Sequence, residues 1–232
     1  MTRLIDGPIL VLHAPGDPHG GRDWSPALES AGWSGPVLAP DLPGHGDTPP
    51  PVGGNYELAD AAFAALTLLV DSRRHDTAPV QVPPVVVGVG AHGWAAQLLA
   101  LGGRAAGLVL VDGLGAPWFD VAEGVRLDRT IMRAVADDPR ALAPHPVGGT
   151  DPRLVHGPIP HGSRRLARHA AAATPTPTFL VESDGSATTA TEAAELAALF
   201  PAGAELHRVP DGSPSAVAAA VLTWSRSRRS PV

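Results

Sequence analysis

Pro84-Val85-Val86-Val87-Gly88-Val89-Gly90-Ala91-His92-Gly93 joins an apolar, β-branched run to a glycine-rich turn, and residues 94–101 then read as a helix. Strand, tight turn and helix form the setting in which a nucleophile elbow lifts a serine above a sheet. The central position here is Gly90, which has no side chain to attack with. The six letters from Gly88 to Gly93 also spell G-x-G-x-x-G, the turn that cradles a pyrophosphate at a helix N-terminus. Asp112, about 20 residues on, ends the next apolar run where a ribose-binding acid belongs. The flanking segments have to separate these two readings.

Upstream, Ile9-Leu10-Val11-Leu12 reads as a buried strand running into His13-Ala14-Pro15-Gly16. Val37-Leu38-Ala39 is a second strand, followed by Asp41-Leu42-Pro43-Gly44-His45-Gly46-Asp47, and residues 56–70 read as a helix. Downstream come a strand at Leu108-Val109-Leu110-Val111 and a stretch, 113–177, where the alternation weakens. Within it 121–136 and 164–173 have helical composition, while Pro144, Pro146, Pro152, Pro158 and Pro160 break the chain. The strand Thr178-Phe179-Leu180-Val181, a helix over 191–199, a strand over 205–209 and a helix over 216–225 complete the pattern. Continuous apolar strands alternating with helices predict an α/β fold with a mostly parallel central sheet and helices on both faces. Residues 1–232 are expected to form one domain, with a small irregular lid inserted at about 114–176, where a cover over a binding site belongs.

Composition narrows the chemistry. Apolar residues make up 44% and charged residues 17%, the balance of a globular chain. No apolar run reaches the length of a membrane span, and the first eight residues lack the apolar centre of a signal peptide, so a cytoplasmic location is expected. Cysteine is absent, which excludes thiol catalysis, disulfides and thiolate metal sites. All 17 Lys+Arg residues are arginine, so a lysine Schiff base is excluded as well, and the bias points to a GC-rich genome. A net charge of −6 argues against nucleic acid as a partner, and Arg226, Arg228 and Arg229 read as a solvated tail. His145, His156, His161 and His169 have no compact ligand spacing, so no metal is expected. A homodimer is compatible with the sequence without being required by it.

The strand and loop at His13 with Trp24 downstream, the Asp41–Asp47 segment and the turn around Gly90 together resemble the α/β-hydrolase superfamily over nearly the whole length. Asp-x-Pro-Gly-His-Gly followed by a small polar residue is the most specific of these. The stretch from Pro214-Ser215-Ala216-Val217 to Trp224 is similar to that superfamily's closing helix. The resemblance implies a serine at the elbow, a histidine after the last strand and an acid to orient it. Laid onto this chain, the serine falls on Gly90, and Val209-Pro210-Asp211-Gly212-Ser213-Pro214 enters the closing helix without a histidine. His207 belongs to the last strand rather than the loop beyond it, and the acid falls on Asp184 or Ser186. Pro15, next to the His13-Ala14 pair, has no N–H to give an oxyanion hole.

The expected function is therefore that of a degenerate member without Ser–His–Asp hydrolysis: a pseudoenzyme that binds a small apolar or carbonyl-containing molecule and needs no cofactor. His13, Pro15, Gly90, Ala91 and Trp118 are its candidate ligand-binding residues. The alternative is a non-hydrolytic acid–base enzyme, of cyclase, lyase or decarboxylase type, with His92 and Asp184 as candidate catalytic residues. A plainer role for His92 is a hydrogen bond to a neighbouring loop. His13, His45, Asp41 and Asp47 are expected to organise turns. Dinucleotide binding at Gly88–Gly93 stands as a third reading.

Overall fold

The structure, a computed structural model, describes residues 4–51, 58–74, 82–113, 149–150, 164–186 and 189–228. Eight strands fall within them: β1 Ile9–Leu12, β2 Val37–Leu38, β3 His45–Gly46, β4 Val85–Val89, β5 Gly107–Val111, β6 Gly149–Thr150, β7 Thr178–Ser183 and β8 Ala204–Val209. The described helices are α1 Trp24–Ala31, α2 Leu58–Arg74, α3 Gly93–Leu101, α4 Arg164–Ala173, α5 Ala190–Ala197 and α6 Pro214–Arg226. Six strands form one sheet in the order β2-β1-β4-β5-β7-β8. Every pairing in it is parallel.

The unbroken apolar strands feed two layers at once, because successive side chains point to opposite faces. Ile9, Val11, Val85, Val87, Val109 and Val111 pack with Trp24 and Leu28 of α1 and Val221 and Trp224 of α6. Leu10, Leu12, Val86, Leu108, Leu110 and Leu180 pack with Ala65 and Leu69 of α2, Ala96 and Leu99 of α3 and Leu196 of α5. Leu10, Leu12, Leu108, Leu110 and Leu180 have no exposed surface. Burial of each stabilises the fold by about 1.5–3 kcal/mol.

Chain order fixes where the functional end lies. The chain steps from β1 outward to β2 on one side, then restarts at β4 and proceeds through β5 and β7 to β8 on the other. The reversal lies between β1 and β4, and a parallel sheet opens a crevice at the carboxyl ends of the strands flanking such a point. The loops at His13 and Gly90 therefore meet there.

The described part of the expected lid meets this frame through β6 and α4, whose Ala171 joins the core of Leu99 and Leu110. β6 pairs antiparallel with β3, His45 opposite Thr150 and Gly46 opposite Gly149. On α4, Ala167 and Ala170 pack against Trp94 and Leu101. The expected helix over 121–136, together with Trp118, His145, His156 and His161, lies outside the described residues. α1 and the β3–β6 pair were not anticipated from the sequence, and α2 runs to Arg74 rather than 70. Among the described residues no helix is long and apolar enough to cross a membrane.

Candidate functional site at the carboxyl ends of β1 and β4

The three glycines of the turn after β4 do different work. A Cβ at Gly88 would lie 2.7 Å from the Ala96 Cβ and 2.7 Å from the Gly93 Cα, so the strand admits α3 only because residue 88 is bare. Gly90 has φ 57°, a left-handed backbone, and a Cβ there would find nothing nearer than the Ala14 Cβ at 3.9 Å. The turn at Gly90–His92 is a short 3-10 segment that passes directly into α3. Gly88 is thus a packing glycine and Gly90 a conformational one, which accounts for this part of the spacing without a phosphate.

Beneath the turn, three imidazoles knit three loops together. The His92 Nδ1 donates to the carbonyl of His13 at 2.5 Å. The His13 Nε2 accepts the N–H of Leu42 at 3.1 Å, while its Nδ1 donates to the Ala14 carbonyl at 3.0 Å. The His45 Nε2 accepts the N–H of Gly16 at 2.9 Å, and its Nδ1 lies 3.2 Å from the carbonyls of both Leu42 and Pro43. Each of the three uses a neutral Nδ1–H tautomer, and the His13 and His45 rings meet edge to face at 4.4 Å. Burial, reinforced by His45, pushes the His13 pKa down to about 4. Burial pushes His92 down to about 3, with His13 and His45 adding to the effect, and lowers His45 too.

Asp41 explains the glycines of the Asp41–Asp47 loop. Its Oδ1 accepts the Gly21 N–H at 3.1 Å, and the Thr48 hydroxyl donates to its carbonyl at 2.8 Å. A Cβ at Gly46 would lie 2.0 Å from Oδ2, and one at Gly20 would lie 2.3 Å from Oδ1. The carboxylate is wedged between two bare backbones.

On the other side of Gly90 lies a row set by strand register. Val89 pairs with Val111, and Val111 with Val181, so Gly90, Asp112 and Glu182 succeed one another across the strand ends. Asp112 is the one described non-glycine residue with a left-handed backbone, at φ 49°. Its carboxylate accepts the N–H and hydroxyl of Ser183. Glu182 is buried, its Oε2 accepts the Ser186 hydroxyl at 2.6 Å, and its Oε1 has no partner. Burial raises its pKa, helped by Asp112 and opposed by the Ser186 hydroxyl and Arg208. Asp184 is exposed on the turn that follows. Past β8, Asp211 accepts the Ser213 N–H at 2.9 Å, the Ser213 hydroxyl accepts the Ala216 N–H at 3.3 Å, and Pro214 opens α6. That loop is a helix cap.

Of the candidate ligand-binding residues, Pro15, Gly90 and Ala91 are at least partly exposed at the carboxyl ends of β1 and β4, and His13 is buried. Trp118 lies outside the described residues. His207 is exposed in β8, tilted against Phe179 at 6.0 Å. The acid needed for dinucleotide binding, Asp112, is turned onto Ser183, and the glycine turn follows β4 rather than opening the sheet on its first strand. Among the described residues no group of three His, Cys, Asp or Glu side chains could hold a metal ion. Sequence reasoning missed Ser183 and Glu182; their only signal was a polar pair ending an apolar strand.

A parallel sheet with this reversal, a glycine elbow between β4 and α3 and a loop of the Asp41–Asp47 kind define an α/β-hydrolase architecture. The model described as the alpha/beta hydrolase family matches residues 9–231, and the chain belongs to that family. Solved structures agree on the fold. A hydrolase from Pseudomonas aeruginosa PA01 superposes with a TM-score of 0.68 at 19% identity, covering 97% of this chain and 91% of that one. A thermophilic esterase from Thermogutta terrifontis, malate bound, gives 0.66 at 19% identity, with 95% and 89% covered. The thioesterase domain from the curacin biosynthetic pathway gives 0.70 at 15% identity, with 98% and 93% covered. No curated protein matches the chain.

Proposed function

We propose that this family member binds a small apolar or carbonyl-containing molecule at the β1–β4 crevice and does not hydrolyse it by a serine route. Gly90 carries the reading: the turn keeps its left-handed φ of 57° and open space, while the side chain that would attack is absent. The loop from Pro210 to Pro214 supports it, since its polar groups cap α6 and Gly212 offers no base. A carbonyl is the favoured ligand group because the Ala91 amide precedes the first i→i+3 bond of the 3-10 segment, and because the named relatives include an esterase and a thioesterase. Pro15 and the buried His13 would shape the opposite wall, and Trp118 remains a candidate for the cover.

A second reading, a non-hydrolytic acid–base enzyme working through His92 and Asp184, has less support, since the nearer Asp112 carboxylate is held by Ser183. His92 is a weak base for that role, because burial holds its proton affinity far below neutrality. Asp184 could serve only from an exposed turn.

The test pairs hydrolysis with binding. Wild type should leave nitrophenyl acetate and butyrate at the background rate, while short-chain carboxylates or esters raise its melting temperature. Ready ester hydrolysis by wild type overturns the proposal. A melting shift with NAD(P) but none with carbonyl compounds would return the dinucleotide reading.

A further inference from the structure

We infer that the surface groove between α2 and α3 binds a medium-chain fatty carboxylate, with its alkyl chain laid between the helices and its head group on Arg104. The groove belongs to the end of the sheet opposite Gly90. Arg104 stands on the loop from α3 into the amino end of β5, where the Ala106 N–H bonds the Pro84 carbonyl just ahead of β4. It is a second site, independent of the ligand reading above.

A helix packed on a sheet buries one apolar stripe and turns polar groups to water. On α2 the buried stripe is Ala61, Ala65 and Leu69, spaced four residues apart. A second apolar stripe, Phe63, Leu66 and Val70, runs beside it and is left largely open: Phe63 is 66% exposed and Val70 46%. Single exposed apolar side chains are ordinary on a protein surface, but these flank a concavity. Phe63 and Leu66 line a hollow of about 290 Å³ with Leu98, Leu99 and Gly102 of the α3 side. Leu66, Leu69 and Val70 line an adjoining one of about 60 Å³.

Arg104 lines both hollows and is the one charged residue lining either. Arg168 and Arg228 are paired with Glu195 and Glu205, whereas among the described residues the Arg104 guanidinium has neither a hydrogen-bond nor an ion-pair partner. The acids of α2, Asp60 and Asp71, line neither hollow. An open apolar trough with one unpartnered cation at its junction is complementary to an amphiphile with a single anionic end. A carboxylate accepts two parallel N–H donors from a guanidinium, which an alcohol or an ammonium head group cannot do. Length follows from volume: at roughly 30 Å³ per methylene, about the room of a water molecule, the larger hollow takes an alkyl chain of about eight to ten carbons. A lipid surface would call for a cluster of basic residues, and one arginine in a chain of net charge −6 is not that.

Calorimetric titration of the full chain with decanoate tests this. Wild type should bind it saturably with a dissociation constant below about 1 mM. Hexanoate should bind at least about tenfold more weakly, at about two- to fourfold per methylene lost. Decanol and decyltrimethylammonium should also bind more weakly than decanoate. Arg104→Gln should weaken decanoate by at least about tenfold and leave decanol unchanged, and Phe63→Glu should abolish decanoate binding. Both substitutions alter exposed side chains, so melting temperature and circular dichroism should stay at wild-type values. The proposal is overturned by an absence of saturable binding, by decanol or the ammonium binding as tightly as decanoate, or by decanoate binding that both variants leave intact. Wild-type oligomers that Phe63→Glu dissolves, with no decanoate bound, would give the face to a second copy and overturn it as well.

Discussion

The carboxylate of Asp112 accepts two hydrogen bonds from Ser183, from its backbone N–H at 2.6 Å and from its hydroxyl at 2.8 Å. Asp112 does so from a left-handed backbone at φ 49°, a conformation that costs about 1–2 kcal/mol for a residue with a Cβ. Two hydrogen bonds to a carboxylate, each contributing about 1.5–3 kcal/mol, more than offset that. The pair clamps the end of β5 to β7. It also puts Oδ2 only 2.7 Å from where a Cβ of residue 212 would stand, so a side chain at that position must displace the carboxylate.

Rebuilding a triad by substitution should therefore fail. Gly90→Ser is expected to fold, because a Cβ at 90 meets only Ala14 at 3.9 Å, with a loss of about 1–2 kcal/mol from its left-handed φ. Neither this variant nor Gly90→Ser/Gly212→His should hydrolyse nitrophenyl esters above background. Turnover by the double variant would show that Asp112 does not block the base.

Asp112→Ala should destabilise the protein by about 2–4 kcal/mol, since it removes both bonds and keeps the strained Cβ. Ser183→Ala retains the N–H bond and should cost about 1–2 kcal/mol. Urea unfolding compares the two; equal losses would mean the backbone bond contributes nothing.

The imidazole cluster predicts a pH dependence whose sign follows from burial. His13 and His92 titrate at about 4 and about 3 in the fold, against an ordinary value of 6.5. Between those limits the unfolded chain binds more protons than the folded one, so stability is complete above pH 7 and falls as pH drops. Each imidazole contributes a slope of about 1.4 kcal/mol per pH unit. Unfolding midpoints taken from about pH 6.5 to 5, above the ordinary carboxylate range, follow the effect, to which the lowered His45 adds and which the raised Glu182 opposes. His92→Gln should flatten the curve, and a wild-type midpoint constant over that interval would refute the assignment.

Gly46→Ala should be among the most damaging single-methyl additions, because the new Cβ falls 2.0 Å from Asp41 Oδ2 at a left-handed φ of 52°. A loss of about 2–4 kcal/mol is expected. Most of the steric part should vanish in an Asp41→Ala background, so a double-mutant cycle measures the wedge directly. Additive losses would rule it out.

The strands were legible because their apolar runs are short, unbroken and bounded by turn residues; β1 and β4 fall where the letters place them. α1 was not, because eight residues containing Pro26 give too little period, and its Gly32 stop is set by a left-handed φ of 102°. β3 and β6 were hidden for a different reason: two-residue strands joined across a hundred positions carry no local signal. At the site, Gly90 and the histidine-bearing loops were visible as motifs. That His13, His45 and His92 share one cluster was not, since only the sheet order brings residues 29 to 79 positions apart into contact. Nor could Asp112 and Ser183, 71 positions apart, be paired from sequence.

Gly90 occupies a seat that suits glycine better than any residue able to attack a carbonyl. Where a reactive hydroxyl stands at such a bend, the chain carries conformational strain for the sake of its chemistry. A bare residue relaxes that strain, so a lineage that ceased to need the reaction would drift toward a sturdier protein, and reversal would demand stability as well as mutation.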